Sequence, residues 1–581
     1  MTERQIDDDR ATSRRPVTGS STPLDGLRGA VLAAAEELEG RSSTRGVSEA
    51  ARGVPGGSAT RGRGPITLER PPRADFGDYS TNAALLLAAS LDSSPREVAQ
   101  RLGDALQMRL GSSLERFEVA GPGFLNLFLA DSWLTGALVD VLAAGERFGA
   151  GAPEPPERIL VEFVSANPTG PMHVGHARNA AYGDALARVL EFHGHEVARE
   201  FYVNDAGSQV RKLGESVLAL AQGEQVPEDG YRGAYVEQLV HLVKTDSMDP
   251  SELGRAAVTV MVGEMQASLA AFGVKGFDHW AYESALHEGD PSPVAHALAI
   301  LEEQGRTYCS EGALWLRTTE FGDDKDRVLV RSSGEHTYFA SDIAYHQDKR
   351  ERGFDRQIDV WGADHHGYVS RMRAAYEALG GDPEHLELLI MQLVHLVRRG
   401  ERAQMSKRAG EFVTLDGLLG EIGVDAMRWY LLARSHDTTV DLDLDLAVEQ
   451  SSENPVYYVQ YAHARIFSIL AKAGQERVRT ALAELADAAH EPLHAAERAL
   501  IEQLLAFPAE VDEAAQRRAP HRITAYALEL AQGFTAFYRD CRVVGAEPGT
   551  VESLRIALCV ASGRTIARCL DLLGVGAPEE M

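Results

Sequence analysis

The chain has 581 residues, 58 Lys and Arg against 86 Asp and Glu, and a formal net charge of −28, with 44% hydrophobic residues and four cysteines. That length exceeds what one core fills and implies roughly three or four domains, while the hydrophobic content excludes a disordered chain and the acid excess excludes a uniformly basic nucleic-acid coat. Cysteines without framework spacing, and no long apolar run or signal pattern at the start, exclude a disulfide-stapled secreted fold and a membrane protein, so a cytoplasmic location is expected.

In chain order, residues 1–22 are polar and without apolar periodicity, and read as a disordered tail. Residues 23–130 read as an N-terminal α+β module. It opens with an amphipathic helix from Leu24 to Leu38, and residues 40–64, rich in Gly, Ser, Thr and Arg, form a flexible insert. A strand from Ile66 to Leu68, helices from Asn82 to Ala89 and Pro95 to Leu110, and strands from Phe117 to Val119 and Phe124 to Leu129 follow. Over 131–445, β-rich apolar runs alternate with helical patterns, which predicts a doubly wound parallel sheet of Rossmann type with ligands at the strand C-terminal ends. Ile159 to Val164 is its first strand, interrupted by Glu162, and Ala177 to Glu191 is a helix closed by Gly194. Residues 210–272 read as a helical insertion. Arg356 to Trp361 is a strand that delivers Gly362-Ala363-Asp364, whose carboxylate can accept from ribose hydroxyls. Residues 446–581 are Ala- and Leu-rich and helical to the end, an all-α bundle, so the fold class is multidomain α/β.

Two motifs carry chemistry: Pro171-Met172-His173-Val174-Gly175-His176, between a strand and a helix start, and Gln404-Met405-Ser406-Lys407-Arg408. A helix start favours anions, His173 and His176 lie one turn apart, and Gly175 leaves room for a nucleotide. Lys407 can reach the β- and γ-phosphates of ATP from a loop. Such donors suit carboxylate attack on an α-phosphate, where catalysis is positioning plus electrostatic stabilisation. His-x-x-His alone is a common accident, but a second linked phosphate motif is not. A zinc site fails because Cys309, Cys541, Cys559 and Cys569 have no ligand spacing. Glu162 inside an apolar strand needs a cationic partner, either a substrate or a structural basic residue. Tyr458, Tyr461 and Arg465 share a helix face, as a packing stripe or as a platform for unstacked bases. Arg517-Arg518 with His521-Arg522 is a local basic patch, or a solvated helix face.

With these motifs, Val161-Glu162-Phe163-Val164-Ser165-Ala166-Asn167-Pro168-Thr169-Gly170-Pro171, Phe76-Gly77-Asp78-Tyr79-Ser80-Thr81-Asn82, Phe201-Tyr202-Val203-Asn204-Asp205-Ala206-Gly207, Trp361-Gly362-Ala363-Asp364-His365-His366-Gly367 and the terminal Leu572 to Met581 resemble the arginyl-tRNA synthetases, of class I, from about Pro23 onward. The resemblance implies activation of L-arginine with ATP and Mg2+ as a substrate complex, transfer to tRNA(Arg), no bound protein metal, a monomer, and an anticodon-binding C-terminal bundle. It implies catalytic roles for His173, His176 and Lys407, and ATP contacts from Gly175, Gly362, Asp364, Met405, Ser406 and Arg408. Asp342 and Tyr338 would take the guanidinium, with Glu162, Glu283 and His365 (or His366) nearby, and Ser165 and Asn167 would hold the α-amino and carboxylate end. Tyr79 and Asn82 would touch the tRNA elbow, and Tyr458, Tyr461, Arg465, Tyr538 and Met581 the anticodon. One departure stands out: Gln404 replaces a common loop lysine, and Arg402 or Arg408 is not an equivalent point charge. A small-molecule adenylyltransferase and a silent tRNA-binding relative are the rival readings.

Overall fold

The computed structural model describes residues 22–45, 64–244, 247–402, 413–485 and 492–581. Residues 1–21 of the expected tail, 46–63 of the expected insert, and Gln404, Met405, Ser406, Lys407 and Arg408 lie outside the described residues. The chain divides into two compact units, one of Met1–Ala152, Ile469–Pro508 and Ala536–Ser562, the other of Pro153–Ser468, Ala509–Thr535 and Gly563–Met581.

In the first unit, the opening helix spans Pro23–Arg45 and buries Leu27, Val31, Ala34, Ala35 and Leu38, the spacing of one helical face. It continues past Gly40, where the sequence suggests a loop; one interior glycine costs about 1 kcal/mol, less than that apolar face supplies. A four-stranded antiparallel sheet has the order Leu68–Glu69, Tyr79–Thr81, Phe124–Leu129, Leu114–Ala120. Helix Pro95–Leu110 has the expected bounds, set by a Ser94/Glu97 capping box and Pro95 in its first turn.

The second unit holds a five-stranded parallel sheet: β1 Arg158–Glu162, β2 Glu196–Val203, β3 His279–Tyr282, β4 Arg356–Gly362 and β5 Leu386–Met391, in the order β5-β4-β1-β2-β3. The order reverses between β1 and β4, so the C-terminal ends of those strands frame the crevice where such sheets bind ligands. Helix α1, Val174–His193, links β1 to β2, and Gly207–Ala221, Ala234–Leu242 and Pro250–Ala271 supply the expected helical insertion before β3. Helix α2, Tyr338–Glu351, precedes β4. An antiparallel sheet of Thr307–Ser310, Ala313–Leu316 and Arg327–Val330 precedes α2. It escapes sequence reading because four-residue, half-buried strands carry little periodicity. The apolar run from Leu389 to Val394 is two strands, broken between Met391 and Val394; the second, Val394–Arg398, pairs in parallel with Val440–Asp443.

Helix α3, Pro455–Ala473, begins the C-terminal helices, and Gly549–Leu573 is the last of those described. The residues after it fold back in the second unit. The Gly576 N–H donates to Asp425 Oδ1 at 2.8 Å, and Gln460 on α3 donates to both Asp425 Oδ2 (2.8 Å) and the Gly576 carbonyl (2.9 Å). His463 meets the Pro578 carbonyl at 2.8 Å. Beneath them Arg428, fully buried, donates to Asp184 of α1 and to the Leu573 and Phe272 carbonyls.

Candidate active site

At the start of α1, His173 is the N-cap. Its Nδ1 accepts from the Gly175 N–H at 3.1 Å, and His176 Nδ1 accepts from the His173 N–H at 3.3 Å, which satisfies two orphan helix donors. Since each Nδ1 accepts, each neutral ring carries its proton on Nε2. The rings stack with centroids 3.8 Å apart. Burial and the adjacent His173 lower the His176 pKa to about 3, so this ring is a neutral hydrogen-bond donor at working pH rather than a cation. A Cβ on Gly175 would stand 3.0 Å from the His173 ring, so glycine here serves the imidazole fold as well as a nucleotide.

Beyond β1 the chain turns through Val164 and Ser165, with φ of +70° and +38°, a strained pair at the mouth of the crevice. The Ser165 hydroxyl donates to Glu162 Oε1 at 2.7 Å and accepts from the Tyr202 N–H at 3.1 Å. Glu162 Oε2 takes the buried Lys349 ammonium. Both Glu162 oxygens therefore have internal partners, and of the two readings offered the structural cation is the one present, the buried Lys349 ammonium, which Glu162 shares with Asp359; the expected guanidinium contact is corrected to that extent. Asn167 is exposed beside this turn.

A second group of carboxylates gathers after β2 and β3 and at the start of α2. Asp205 accepts from the Ser284 N–H (2.8 Å) and hydroxyl (2.6 Å), which fixes the turn that begins with buried Glu283. Burial, then the charges of Asp342 and Asp205, raise the Glu283 pKa to about 7, with a hydrogen bond from Tyr202 opposing. Burial likewise pushes Asp342 up, while the Tyr368 hydroxyl, 2.5 Å from its Oδ2, opposes. Tyr338 opens α2, exposed. Three carboxylates so arranged favour a cation in the crevice. Asp205 and Tyr368 are missed by sequence reading, although Asp205 lies inside a quoted motif.

Gly362 ends β4, and Asp364 and His365 follow in a short 3-10 turn, both exposed, with His365 Nδ1 3.3 Å from Asp364 Oδ1. Arg402 is held by Asp441 at 3.0 Å, which occupies one of the two arginines considered for the missing loop lysine.

The expected tRNA contacts divide. Tyr79 is 5% exposed on a central strand, inside the core cluster of the first unit, and burial pushes its phenol up, so the ring is a core residue and the expected base contact is corrected accordingly. Asn82 is spent locally, accepting from the Thr67 N–H at 2.8 Å and donating to the Pro65 carbonyl at 3.3 Å. Phe76 in the same motif is 43% exposed, with the Arg73 guanidinium 5.4 Å from its ring centroid. On α3, Tyr461 is 40% exposed, Arg465 donates to its hydroxyl at 2.6 Å, and Tyr457 stacks on it at 6.0 Å. Tyr457 and Tyr458 are both half-buried, and the ring stacked on Tyr461 is that of Tyr457, at i, i+4. Tyr538 and Met581 are exposed, at 39% and 55%.

Known proteins resemble the chain along nearly its whole length. The family pattern described as arginyl tRNA synthetase N terminal domain matches residues 58–129, that of the tRNA synthetases class I (R), catalytic domain, matches 137–249 and 237–441, and that of the DALR anticodon binding domain matches 459–581. The arginine--tRNA ligase of Frankia alni is 46% identical over 529 residues, 89% of this chain and 95% of that protein. That of Bacillus subtilis is 43% identical over 536 residues, covering 89% and 94%. The Thermus thermophilus arginyl-tRNA synthetase structure superposes with a TM-score of 0.72 at 26% identity, over 96% of this chain and 99% of its own.

Proposed function

Since the chain belongs to the arginyl-tRNA synthetase family and so has arginine--tRNA ligase activity, we propose how its own residues divide the work. The fold is the class I synthetase catalytic domain with an N-terminal module and a C-terminal anticodon-binding helical domain; 23–130, 131–445 and 446–581 are our boundaries for the three.

The arginine guanidinium lies between Asp342 and Glu283, with Tyr338 over it and His365 at the edge, because a planar five-donor fork is what unneutralised carboxylates accept best. Ser165 and Asn167 hold the α-amino and carboxylate end. Glu162 acts one step back by orienting Ser165. ATP, carrying its own Mg2+, places its ribose at Asp364 and Gly362 and its phosphates against the Nε2–H groups of His173 and His176. As the arginine carboxylate oxygen bonds to the α-phosphorus, the bond to pyrophosphate breaks; the two neutral imidazoles stabilise the charge on the α-phosphoryl oxygens, and Lys407, with Met405, Ser406 and Arg408, follows the departing pyrophosphate. The terminal 2′-hydroxyl of tRNA(Arg) then takes the arginyl group and releases AMP. Tyr461, Tyr457, Tyr458 and Arg465 offer stacking for anticodon bases, Tyr538 and Met581 are further tRNA-contact candidates, and Phe76 replaces Tyr79 as the ring available to the tRNA elbow. A cytoplasmic monomer is our reading of its setting; among the described residues no helix is long and apolar enough to cross a membrane.

The observation that carries this reading is the carboxylate group of Glu283, Asp342 and Asp205, in which the charges raising Glu283 are carboxylates alone. Its test is arginine-dependent ATP–pyrophosphate exchange, with tRNA present, by Asp342→Asn. We expect a loss of about 3 kcal/mol in transition-state stabilisation, the range for an unmet charged partner; near-normal exchange overturns the assignment.

A further inference from the structure

Helix α2 drives a polar stripe into the interior. Asp342, Tyr345, His346 and Lys349 stand at i, i+3, i+4 and i+7, and Tyr345, His346 and Lys349 are 4%, 3% and 0% exposed. The stripe is fastened to three adjacent strands. Lys349 Nζ lies 2.5 Å from Glu162 Oε2 on β1 and 2.8 Å from Asp359 Oδ1 on β4. His346 Nε2 meets Asp359 Oδ2 at 2.8 Å, and its Nδ1 meets the Asp342 carbonyl at 2.8 Å. Tyr345 donates to Glu200 on β2, which Arg352 grips through both oxygens at 2.6 and 3.0 Å. An unbroken chain of hydrogen bonds therefore runs from Ser165 through Glu162, Lys349, Asp359 and His346 to the backbone of Asp342.

Stability does not account for it. Burying charges carries a large desolvation penalty, and apolar side chains of similar volume often replace a buried ion pair without loss. What such a network does supply is one fixed geometry, since both nitrogens of His346 and both oxygens of Asp359 are committed and a shifted α2 leaves several buried polar groups unmet at once. The ends of the chain are the two ends of the amino-acid site.

We propose that Lys349, Asp359 and His346 are positioning residues that set the distance between the guanidinium end of the site (Tyr338, Asp342, Glu283) and the α-amino end (Ser165, Asn167), and thereby the side-chain length the enzyme activates. The inference rests on the assignment of those ends given above. A displacement of about 1 Å at a reacting centre can cost on the order of 100-fold in rate. The test compares arginine with homoarginine, one methylene longer, in ATP–pyrophosphate exchange with tRNA present, for His346→Ala, which removes two bonds of the chain, and Lys349→Arg, which keeps the charge but moves its donors. We expect arginine kcat/KM to fall about tenfold through KM, homoarginine to fall less, and the preference for arginine to narrow in both variants, with ATP KM unchanged. Should His346→Ala fail to fold, Lys349→Arg carries the same comparison. A folded variant that keeps the wild-type preference overturns the proposal. Asp342→Asn, assayed beside them, separates the two levels: its near-normal exchange overturns the assignment of the site, whereas its loss with an unaltered preference in the other variants overturns the network alone.

Discussion

Replacing Arg428 by Met tests how firmly α1 is held. The guanidinium is 0% exposed, 2.7 Å from Asp184 Oδ2, 2.8 Å from the Leu573 carbonyl and 3.3 Å from that of Phe272. Methionine fills much of the volume but offers no donor, so two buried carbonyls lose a partner, at about 1–3 kcal/mol each. Breaking a buried ion pair costs about 3–5 kcal/mol, but Asp184 retains the Arg188 guanidinium at 2.8 Å and the Lys275 N–H at 3.0 Å, so its charge is not abandoned. The two considerations together give about 3–5 kcal/mol. Because a chain of several domains does not unfold in one step, the assay is hydrogen exchange by mass spectrometry over α1 and residues 570–578 alongside urea unfolding. Both segments should lose protection together. Gly574→Ala attacks the same joint from the other side, since its φ is +67° and a Cβ would stand 2.4 Å from the Arg428 guanidinium. A loss below about 1 kcal/mol in Arg428→Met, with unchanged exchange at α1, refutes the reasoning.

Arginine KM should fall as pH rises between about 6 and 8: Glu283, raised from 4.5 to about 7, must release its proton to meet a guanidinium, and Glu283→Gln should flatten the profile. The same shift makes Glu283 contribute stability that is fully present below 4.5 and lost as pH rises through 7, so a melting temperature with the opposite slope in wild type minus Glu283→Gln contradicts its direction. Lys407→Ala should lower the rate of adenylate formation by about 100-fold or more while arginine binding, read by calorimetry, stays within error; a raised KM at constant kcat rejects a phosphate role. Deleting 578–581 removes the His463 contact to the Pro578 carbonyl but leaves the Gly576 clasp. It should raise the tRNA KM with little change in melting temperature, and charging kinetics equal to wild type dismiss the contribution of that end.

What the sequence discloses here depends on range. The helix start at His173 and the helix from Pro95 to Leu110 are local, so a few adjacent residues suffice to read them, although their caps are seen only in the structure. The doubly wound sheet follows from alternation of strand and helix patterns over hundreds of residues. Lys349 is different: in Gln347-Asp348-Lys349-Arg350-Glu351 it looks like any solvated helix charge, and its full burial depends on Glu162 and Asp359 arriving from two other strands. Tyr79 shows the converse, since its motif is visible in the sequence but the core cluster that buries its ring is assembled from helices and strands elsewhere in the chain. On α3 the sequence singles out Tyr458, Tyr461 and Arg465 but not Tyr457, whose ring stacks on Tyr461, because i, i+3 and i, i+4 pairs are equally compatible with a single stripe.

The Asp184 clasp also has a history in time. Asp184 belongs to the helix that begins with His173 and His176, yet Arg428 is 244 positions further along and the Leu573 carbonyl a further 145. As a growing chain leaves the ribosome, β1, α1 and β2 can pair at once and Asp184 meets Arg188 within its own helix, but its second guanidinium, Arg428, is made long afterwards. Any nascent or clipped chain that stops short of Leu573 keeps Arg428 without one of its three acceptors. The clasp is thus a late joint in synthesis: it closes only when the last helix has been made.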